Sequence, residues 1–584
     1  MINSTPPSHS RQNWTFIVSV SVVIWVCSFL LSLTFVWNWI GDLSPIKLHA
    51  EYWVSPIKAL FVDVGKQNWS EYWDFVNRNG LQLELTFYFL FALSVATFSA
   101  YLIVKRLYVD GGQSSYFHVN GPQLFQFKTA LQHALRKAKE EGSQLGLKLH
   151  PKLQISKLRE SGNVLVLGNQ GTGKTVFILS LIAQIIKRGE RVFIYDEKRE
   201  FTAQFFDKTT TVLIAPWDKR GTAWNIQADA HNAVLAKLIA DQLIPDSKDP
   251  LWSEGARSIF AGMITILNRT KEQWGWVELA NMMLLNESKL RVLLGEHYPR
   301  AQRFIVEESK TTQSFFAQLD GSLGWIHTLA EAWPRAFENG FSMKDWVEDP
   351  NSGKPIIIVQ ADKRYRDIGA PVANTLIRLM TSHILSQTNC SSRELWLFID
   401  ELANLPKNEA LGEWMSLGRS KGCRICGGTQ SVSQLKEIYS DNGADTLLNM
   451  FTIFASMRLG AAGETAPYTA KVFGERVVER RTSSAGPTGN ASQNWHGETV
   501  PIVRASDLVH LPQPDSKGVV GYILIPGYKA VYKLRWPYPK IPLLSEEHCP
   551  ADWVSNHKSQ SIEKAESAIG RSRLESVKSK RAKS

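Results

Sequence analysis

The residues best suited to chemistry lie in one short loop, residues 168–175, which reads GNQGTGKT and matches GxxxxGK[ST] in full. Glycines let such a loop curl its backbone N–H groups around a phosphate, and the following helix adds partial positive charge. Lys174 would reach the β- and γ-phosphates of ATP, and the Thr175 hydroxyl would bind Mg²⁺. The predicted binding residues are Gly168, Asn169, Gln170, Gly171, Thr172, Gly173, Lys174 and Thr175.

The elements on either side of this loop are the ones it needs. Residues 164–167 form an apolar run bounded by glycines, typical of a buried parallel strand. Residues 176–186 form a continuous apolar helix pattern that ends at Lys187-Arg188-Gly189, a helix stop. Strand, loop and helix therefore occur in the order that a nucleotide-binding loop requires.

A second apolar run, residues 395–401, reads LWLFIDE and ends in two acids. Such a strand beside the loop's own strand would give Asp400 to the Mg²⁺ shell and Glu401 to polarise an attacking water. The pattern alone is weak, since many buried strands end in an acid, but with the phosphate loop it predicts a nucleoside triphosphatase.

Two further polar residues follow the acidic strand. Residues 411–424 look helical and carry Arg419, and a strand-like stretch then ends at Gln430. A glutamine at a strand tip can hydrogen-bond the γ-phosphate or its water; the alternative roles are a surface arginine and a loop glutamine. Asp196, after the apolar run 191–195, is open to two interpretations, an acid facing the nucleotide cleft or a helix N-cap or turn residue.

Composition bounds the remaining possibilities. A chain of 584 residues with 44% hydrophobic and 21% charged side chains exceeds one compact core and excludes disorder throughout. Its net charge of +11 invites an anionic partner such as nucleic acid or a lipid surface. Five scattered cysteines make no disulfide framework, and the Cys423-x-x-Cys426 pair lacks the second pair that zinc would need, which predicts buried thiols.

The first hundred residues contain two stretches without a charged side chain, about 14–40 and 85–104. Each can cross a hydrocarbon core about 30 Å thick, so we predict a two-helix anchor in residues 1–110 with an outer loop at 41–84. A signal peptide is the alternative for the first stretch, but no clear cleavage site follows. The positive-inside signal is weak, so orientation depends on the nucleotide chemistry downstream, which belongs in the cytoplasm.

Taken together, residues of roughly 10–545 resemble the TraD/TraG class of type IV coupling proteins, the membrane ATPases of bacterial conjugation within the FtsK/HerA superfamily. The resemblance rests on the phosphate loop and on the stretch LWLFIDELANLPKNEALGEWMSLGRSKGCRICGGTQ. Further support comes from YDEKREF, APWDKRGTAWN, DPLWSEGAR and the closing segment from residue 501 to residue 536.

The resemblance implies an α/β fold, a RecA-like P-loop motor at 111–225 and 341–545 with an all-α domain inserted at 226–340. It also implies a homo-hexamer around DNA at the bacterial inner membrane, with relaxase and type IV secretion channel components as partners. Arg419 matches an arginine that reaches the neighbouring subunit's nucleotide, and Gln430 matches the family's glutamine motif. Both would then be catalytic alongside Lys174 and Glu401.

Three other classes of protein share some of these features. An FtsK-like double-stranded DNA translocase would show more spans and a C-terminal winged helix, and a non-motor membrane scaffold would not need the full set of motor residues. An ABC transporter would need an LSGGQ-like signature. Residues 546–584 are predicted to be a basic, disordered tail, either solvated without a partner or in contact with DNA or anionic lipid.

Overall fold

The computed structural model describes residues 14–39, 49, 68–107, 116–142, 144–349, 354–388, 394–485 and 491–554. The chain divides into two compact units, residues 1–115 and 116–584.

The first unit contains helices α1 (Trp14–Trp39), α2 (Asn68–Arg78) and α3 (Gln82–Leu107). Within α1 and α3, the segments Val18–Asn38 and Gln82–Lys105 are long and apolar enough to cross a membrane. The side chains of α1 and α3 that are buried pack on one another and on α2, as Val36, Tyr72 and Tyr88 illustrate. Most of the predicted outer loop lies outside the described residues.

The second unit is built on a ten-stranded mixed sheet, counted over the described residues, with the order β2-β15-β14-β11-β5-β10-β9-β6-β8-β7. The seven strands from β11 to β7 in this order are all parallel, whereas β14 runs antiparallel to its two neighbours. The strands of the unit are β1 (Tyr116–Asn120), β2 (Gln123–Gln126), β3 (Leu145–His150), β4 (Leu153–Ser156), β5 (Val164–Leu167), β6 (Arg191–Asp196), β7 (Thr211–Ile214), β8 (Ile356–Gln360), β9 (Leu395–Ile399), β10 (Cys423–Thr429), β11 (Ile453–Ser456), β12 (Glu475–Ala485), β13 (Ala491–Pro501), β14 (Val519–Leu524) and β15 (Ala530–Trp536).

The central strands of the sheet are buried along their whole length. Every residue of β5, β8, β9 and β10 is buried. Such continuous burial is the usual reason for near-unbroken Val, Ile and Leu runs in parallel strands. The α/β class expected from the sequence is confirmed.

The helices of the second unit fall before, between and after the parallel strands. They are α4 (Phe127–Glu140), α5 (Lys157–Glu160), α6 (Lys174–Lys187), α7 (Glu200–Phe205), α8 (Ile226–Asp229), α9 (Ala233–Leu243), α10 (Pro250–Thr270), α11 (Trp276–Met283), α12 (Glu287–His297), α13 (Pro299–Gln302), α14 (Lys310–Leu323), α15 (Ile326–Ala332), α16 (Ala336–Asn339), α17 (Met343–Glu348), α18 (Arg366–Ser386), α19 (Ala410–Ser416), α20 (Val432–Tyr439), α21 (Asp441–Asn449), α22 (Thr465–Phe473) and α23 (Ala505–Val509).

Between β7 and β8 the described chain is helical, from α8 to α17. The start and the end of this helical segment are held together by two backbone hydrogen bonds. The N–H of Asn225 donates to the Phe341 carbonyl, and the N–H of Phe341 donates to the Ala223 carbonyl. Next to these two bonds, the buried Asp229 carboxylate accepts hydrogen bonds from the Trp224 indole and from Ser342. The domain limits at 226 and 340 stay a prediction, but these bonds explain how a helical insertion can be closed off.

The prediction for the chain's end is wrong over its first nine residues. Residues 546–554 lie against the loop that follows β7: the N–H of Ala551 donates to the Trp217 carbonyl at 2.9 Å, and the Trp553 indole donates to the Pro216 carbonyl at 2.8 Å. Apolar side chains at Ala551 and Trp553 give this segment a surface to bury, which the basic residues further on lack. The rest of the predicted tail lies outside the described residues.

Candidate active site

The loop between β5 and α6 has the backbone that its glycines predict. Gly171 and Gly173 have φ angles of +71° and +100°, a region that favours glycine. A Cβ at Gly173 would also lie 2.4 Å from a methyl carbon of Val519, so the position has neither the conformation nor the space for a side chain. The Thr172 hydroxyl closes the turn by donating to the Asn169 carbonyl at 2.7 Å.

Several N–H groups at this turn remain available. Those of Gly171, Gly173, Lys174 and Thr175 have no hydrogen-bond acceptor in the described part of the chain, whereas the N–H of Gly168 donates to the Thr429 carbonyl. Unpaired N–H groups at the start of a long helix make a binding site for an anion. The residues present therefore fit the phosphates of a nucleotide.

The acidic strand is not the neighbour of the loop's strand, which corrects the expected adjacency. The order β5-β10-β9-β6 puts β10 between β5 and β9, so the acids after β9 are two strands from the phosphate loop, and Asp196 at the end of β6 is three strands from it. Buried parallel strands of similar composition can pair in several orders, so local patterns leave the order open. The intervening strand ends at Thr429 and brings Gln430 to the same edge as the loop.

Despite the intervening strand, the loop lysine and an acid meet. The Lys174 ammonium lies 2.8 Å from the Glu401 carboxylate, and only 5% and 7% of their side chains are exposed. The backbone N–H of Gln430 donates to the other oxygen of Glu401 at 3.1 Å. Lys174, Glu401 and Gln430 are thus in one hydrogen-bonded group, with the half-buried Thr175 next to Lys174.

The second acid, Asp400, has one occupied and one unoccupied oxygen. Its Oδ2 accepts from the Lys198 ammonium at 3.3 Å, while Oδ1 is buried without a hydrogen-bond partner among the described residues. Burial alone would lower the pKa of Lys198, but Asp400 and nearby acids outweigh it and raise that pKa. A buried carboxylate oxygen with no protein partner is what a Mg²⁺ ligand needs.

Lys198 was missed by sequence reasoning. It lies two residues beyond β6, inside the stretch YDEKREF, which entered the argument only as part of a family resemblance. The signal was its position, because the carboxyl ends of parallel strands meet at one edge of a sheet and a cation there faces the acids of β9.

Asp196 bonds to the first turn of α7, whose N-cap is Arg199, and its Oδ1, like that of Asp400, is buried without a hydrogen-bond partner among the described residues. Its Oδ2 accepts from the backbone N–H and the hydroxyl of Thr202 at 2.7 and 2.8 Å, at the start of α7. Burial raises the pKa of Asp196 to about 6, even though the hydrogen bonds from Thr202 act in the opposite direction.

Arg419 is not brought to this site within its own chain. The helix expected over residues 411–424 is shorter: α19 ends at Ser416, a 3₁₀ turn spans Gly418–Lys421, and Cys423 already begins β10. Arg419 therefore precedes β10, whereas the phosphate loop follows β5, which is parallel to β10. It lies exposed at the opposite edge of the sheet, where its guanidinium donates to the Ser161 hydroxyl at 3.1 Å.

That opposite edge holds a second cluster of charges. Carboxylate oxygens of Glu160, Glu190 and Glu394 lie within 4.8 Å of one another. Arg188 bonds to all three acids, Lys157 lies 2.6 Å from Glu394, and Arg424 lies 3.6 Å from Glu394. Burial and the Glu394 carboxylate raise the pKa of Glu190 to about 7. Three cations already occupy the space between these acids, which disfavours a metal ion there.

Comparison with known proteins bears on the family of the chain and on its fold. A family model described as "Type IV secretion-system coupling protein DNA-binding domain" matches residues 148–534, about two thirds of the chain. Coupling protein TraD of Escherichia coli (strain K12) is 27% identical over 478 residues, which cover 79% of this chain and 64% of TraD. The chain thus spans less than two thirds of the length of this relative.

Solved structures agree with the fold. The bacterial conjugative coupling protein TrwBΔN70 in an unbound form superposes with a TM-score of 0.62 at 22% identity, covering 74% of this chain and 96% of TrwB. TrwB in complex with the ATP analogue ADPNP gives a TM-score of 0.62 at 22% identity, covering 76% of this chain and 99% of TrwB. The unit around the ten-stranded sheet therefore has the fold of a RecA-like motor with an all-α domain.

Proposed function

The chain belongs to the type IV secretion-system coupling proteins, and from that premise we propose that it is a membrane-anchored ATPase that moves DNA into a type IV secretion channel. One observation supports the proposal above others. The phosphate-loop lysine is ion-paired with Glu401 next to Asp400, whose buried Oδ1 lacks a protein partner. TrwB, similar in fold, has been solved with ADP and Mg²⁺ and with ADPNP.

In this proposal each group at the carboxyl edge of the sheet has one task. The N–H groups of residues 171–175 hold the phosphates, and Lys174 neutralises the charge that develops on the β- and γ-oxygens. Thr175 and Asp400 would hold Mg²⁺, which supplies charge neutralisation at the transferred phosphoryl group. Glu401 accepts the proton of the attacking water, and Gln430 orients that water or the γ-phosphate.

The two ion pairs at the site describe a state that nucleotide binding must open. Lys174 bonded to Glu401 is not free to bind a phosphate, and the Glu401 oxygen bonded to Lys174 is not free to accept a hydrogen bond from the attacking water. Transfer of Lys174 to the nucleotide would release the carboxylate for catalysis. Binding of Mg²⁺ by Asp400 would likewise break the bond between Asp400 and Lys198, and the Lys198 ammonium would then bond to solvent or to the nucleotide.

Arg419 completes the site from another subunit in this proposal. Because it precedes β10, an exposed guanidinium there can reach only the nucleotide of a neighbouring copy. A guanidinium supplied in trans stabilises charge in the transition state and makes hydrolysis depend on assembly. We therefore propose a homo-hexamer around DNA.

The proposal also covers location and partners. The two apolar helices of the first unit would anchor the chain in the bacterial inner membrane, with the motor in the cytoplasm. DNA bound to a relaxase would be the substrate, and the secretion channel would receive it.

The test is hydrolysis and transfer by two variants of the full-length chain in detergent and in cells. Lys174→Ala and Glu401→Gln are each expected to lower the DNA-stimulated ATPase rate at least about a thousandfold. Plasmid transfer should be lost, while the amount of chain recovered in the membrane fraction should stay unchanged.

A matched control is Lys187→Ala, since Lys187 is an exposed lysine at the other end of the same helix as Lys174. It should hydrolyse ATP at the wild-type rate. Normal transfer by either site variant would refute the motor, and loss of membrane recovery would leave the ATPase assay as the deciding measurement.

A further inference from the structure

A cavity of about 600 Å³ adjoins the proposed nucleotide site at the carboxyl ends of β6, β8, β9 and β10. Gln170 and Gln430 line it on the side of the phosphate loop. Lys363 and Arg366, in the segment that joins β8 to α18, line it elsewhere. The cavity is therefore lined both by residues of the proposed nucleotide site and by two cations.

The two cations have no partner in the described part of the chain. Lys363 and Arg366 are exposed and make neither a hydrogen bond nor an ion pair there. Arg364 between them differs, because it pairs with Asp362 at 2.8 Å, and Arg199 pairs with the same carboxylate. Asp362 is thus already neutralised by two arginines. Two further acids lie nearby, Asp367 in the first turn of α18 and Glu197 in the lining of the cavity, where Glu197 accepts a hydrogen bond from Asn404. Neither of them pairs with Lys363 or Arg366 in the described part of the chain, so these two cations can attract an outside anion.

The backbone that carries these cations is fixed. The Tyr365 ring stacks on Trp217 with 5.3 Å between centroids and meets the edge of Trp553 at 5.7 Å. The N–H of Ala361 donates to the Asp196 carbonyl at 2.9 Å. Arg366 is also the first residue of α18, a helix of 21 residues, so the partial positive charge of its amino end adds to the two side chains. Pre-positioned cations lose little freedom when they bind a phosphate.

The cationic surface extends beyond this cavity. Arg366 also lines a second cavity of about 540 Å³, together with Asn404 and Lys407. Asn404 lines both cavities, and it donates to Glu197, next to the lysine that holds Asp400. The first cavity is also lined by Lys198 and Gln430, which bond Asp400 and Glu401, so a ligand that reaches Lys363 and Arg366 there lies next to residues that contact the catalytic acids.

We propose that Lys363 and Arg366 bind backbone phosphates of the transported DNA and are the contact through which DNA stimulates hydrolysis. The inference rests on the proposed function and adds the site of the nucleic acid. A nucleotide already has the N–H groups of the phosphate loop and Lys174, so two more exposed cations exceed what its triphosphate needs. An anionic polymer that passes over the edge of the sheet presents one phosphate after another to such a surface.

The test uses the full-length double variant Lys363→Ala/Arg366→Ala in detergent. Binding of a fluorescent single-stranded oligonucleotide, measured without nucleotide, is expected to weaken about tenfold, and the slope of log K against log salt to fall by about 1.4. ATPase without DNA should stay within about twofold of wild type, and stimulation by DNA should be lost. The retained basal rate shows that the variant is folded.

Two controls make the result specific. Lys187→Ala/Lys208→Ala removes two exposed lysines at the opposite edge of the same sheet and should leave DNA binding unchanged. Lys363→Arg/Arg366→Lys keeps the charge and should keep most of the affinity.

Three outcomes overturn the proposal. DNA affinity and salt slope equal to wild type would remove the DNA contact. A weakened binding of a fluorescent ATP analogue with normal DNA binding would assign the cations to the nucleotide instead. DNA binding that weakens while stimulation persists would separate the contact from hydrolysis. None of these resembles failure of the proposed function, in which the wild-type chain itself hydrolyses no ATP.

Discussion

The two edges of the central sheet both hold clusters of charged side chains, but the clusters differ in whether polar groups remain without a hydrogen-bond or ion-pair partner. At the amino-terminal edge three glutamates share three cations, and Arg188 alone bonds to all three. At the carboxyl-terminal edge Lys174 pairs with Glu401 and Lys198 with Asp400, one to one, and Asp400 keeps an oxygen without a partner.

This difference shows that a binding site is indicated by polar groups without a partner, more than by the number of charged side chains. A carboxylate whose oxygens are all bonded to cations stabilises its surroundings and offers nothing to a ligand. The carboxyl edge instead has unpaired N–H groups, an unpaired oxygen and unpaired cations within one region. Each of these costs free energy until a ligand satisfies it, which is what a binding site requires.

The largest test of the comparison concerns Arg419, the exposed arginine at the amino-terminal edge. Our proposal gives it a partner in another subunit, so Arg419→Ala should lower the ATPase rate about a thousandfold. Mixed with wild-type chains in increasing ratio, the variant should depress the rate more steeply than dilution alone, as measured by ATPase titration.

Its control lies close by at the same edge. Lys421→Ala removes a cation that bonds the Gln387 carbonyl of its own chain, and its ATPase should stay near wild type. A mixture whose rate follows the wild-type fraction in a straight line would show that Arg419 acts, if at all, only within its own chain.

The next test asks whether the amino-terminal cluster is purely structural. The Glu160 side chain is fully buried and pairs with Lys157 and Arg188. Glu160→Ala removes a negative charge that compensates these two cations. Breaking a buried network by removing one partner costs about 4 kcal/mol. The unfolding transition followed by tryptophan fluorescence should move to clearly lower temperature, while the ATPase rate of the folded chain stays within about twofold.

Glu140→Ala is the comparison for Glu160. This exposed carboxylate also lies near two cations, Arg136 and Lys137, yet solvent competes with both pairs. Its melting temperature should match wild type. A Glu160 variant of normal stability but reduced hydrolysis would contradict the contrast between the two edges.

The smallest test uses Asp196, the acid at the carboxyl edge that accepts two hydrogen bonds from Thr202 in the first turn of α7. Burial raises its pKa from 3.8 to about 6, so between these pH values the folded chain holds a proton that the unfolded chain has lost. Stability from this group is therefore highest below pH 4 and falls as the pH rises through 6. Two pKa units correspond to about 3 kcal/mol.

Asp196→Asn removes the titrating group and keeps an oxygen for Thr202. The stability of the variant relative to wild type should increase from pH 4 to pH 7, as read from melting temperatures in one buffer series. A difference that does not change with pH would mean that Asp196 remains close to its unfolded pKa. Gln313→Glu, on a helix far along the sequence and exposed, serves as a control for the buffer series itself.

The local elements around the site were predictable. The strand at 164–167 is β5 with the same limits, the helix over 176–186 lies within α6, and the run before Asp400 is β9. Each is specified by residues next to one another in the chain, through unbroken apolar runs, glycines at the turn and a helix stop. The buried state of Cys423 and Cys426 was predicted in the same way.

Relations between distant segments were not predictable. Nothing local places β10 between β5 and β9, pairs Lys198 with Asp400, or gathers residues 160, 190 and 394 into one network. The unpaired cations at 363 and 366 become notable only when β8 is known to end at the same edge as β9. The order of segment 546–554 was not predictable, because the hydrogen bonds that hold it join Cys549 to Asp218 and Trp553 to Pro216, more than 300 positions earlier in the chain.

The sequence by itself therefore determined the chemistry: a phosphate loop with its lysine, two acids at a strand end, two apolar helices and a family. Only the tertiary structure decided which of those groups meet and which lie apart. It brings Lys174 to Glu401 and leaves Arg419 at the opposite edge, because parallel strands share one direction but their order depends on pairings between distant segments. Short-range residue patterns encode each strand, and long-range packing alone encodes their order.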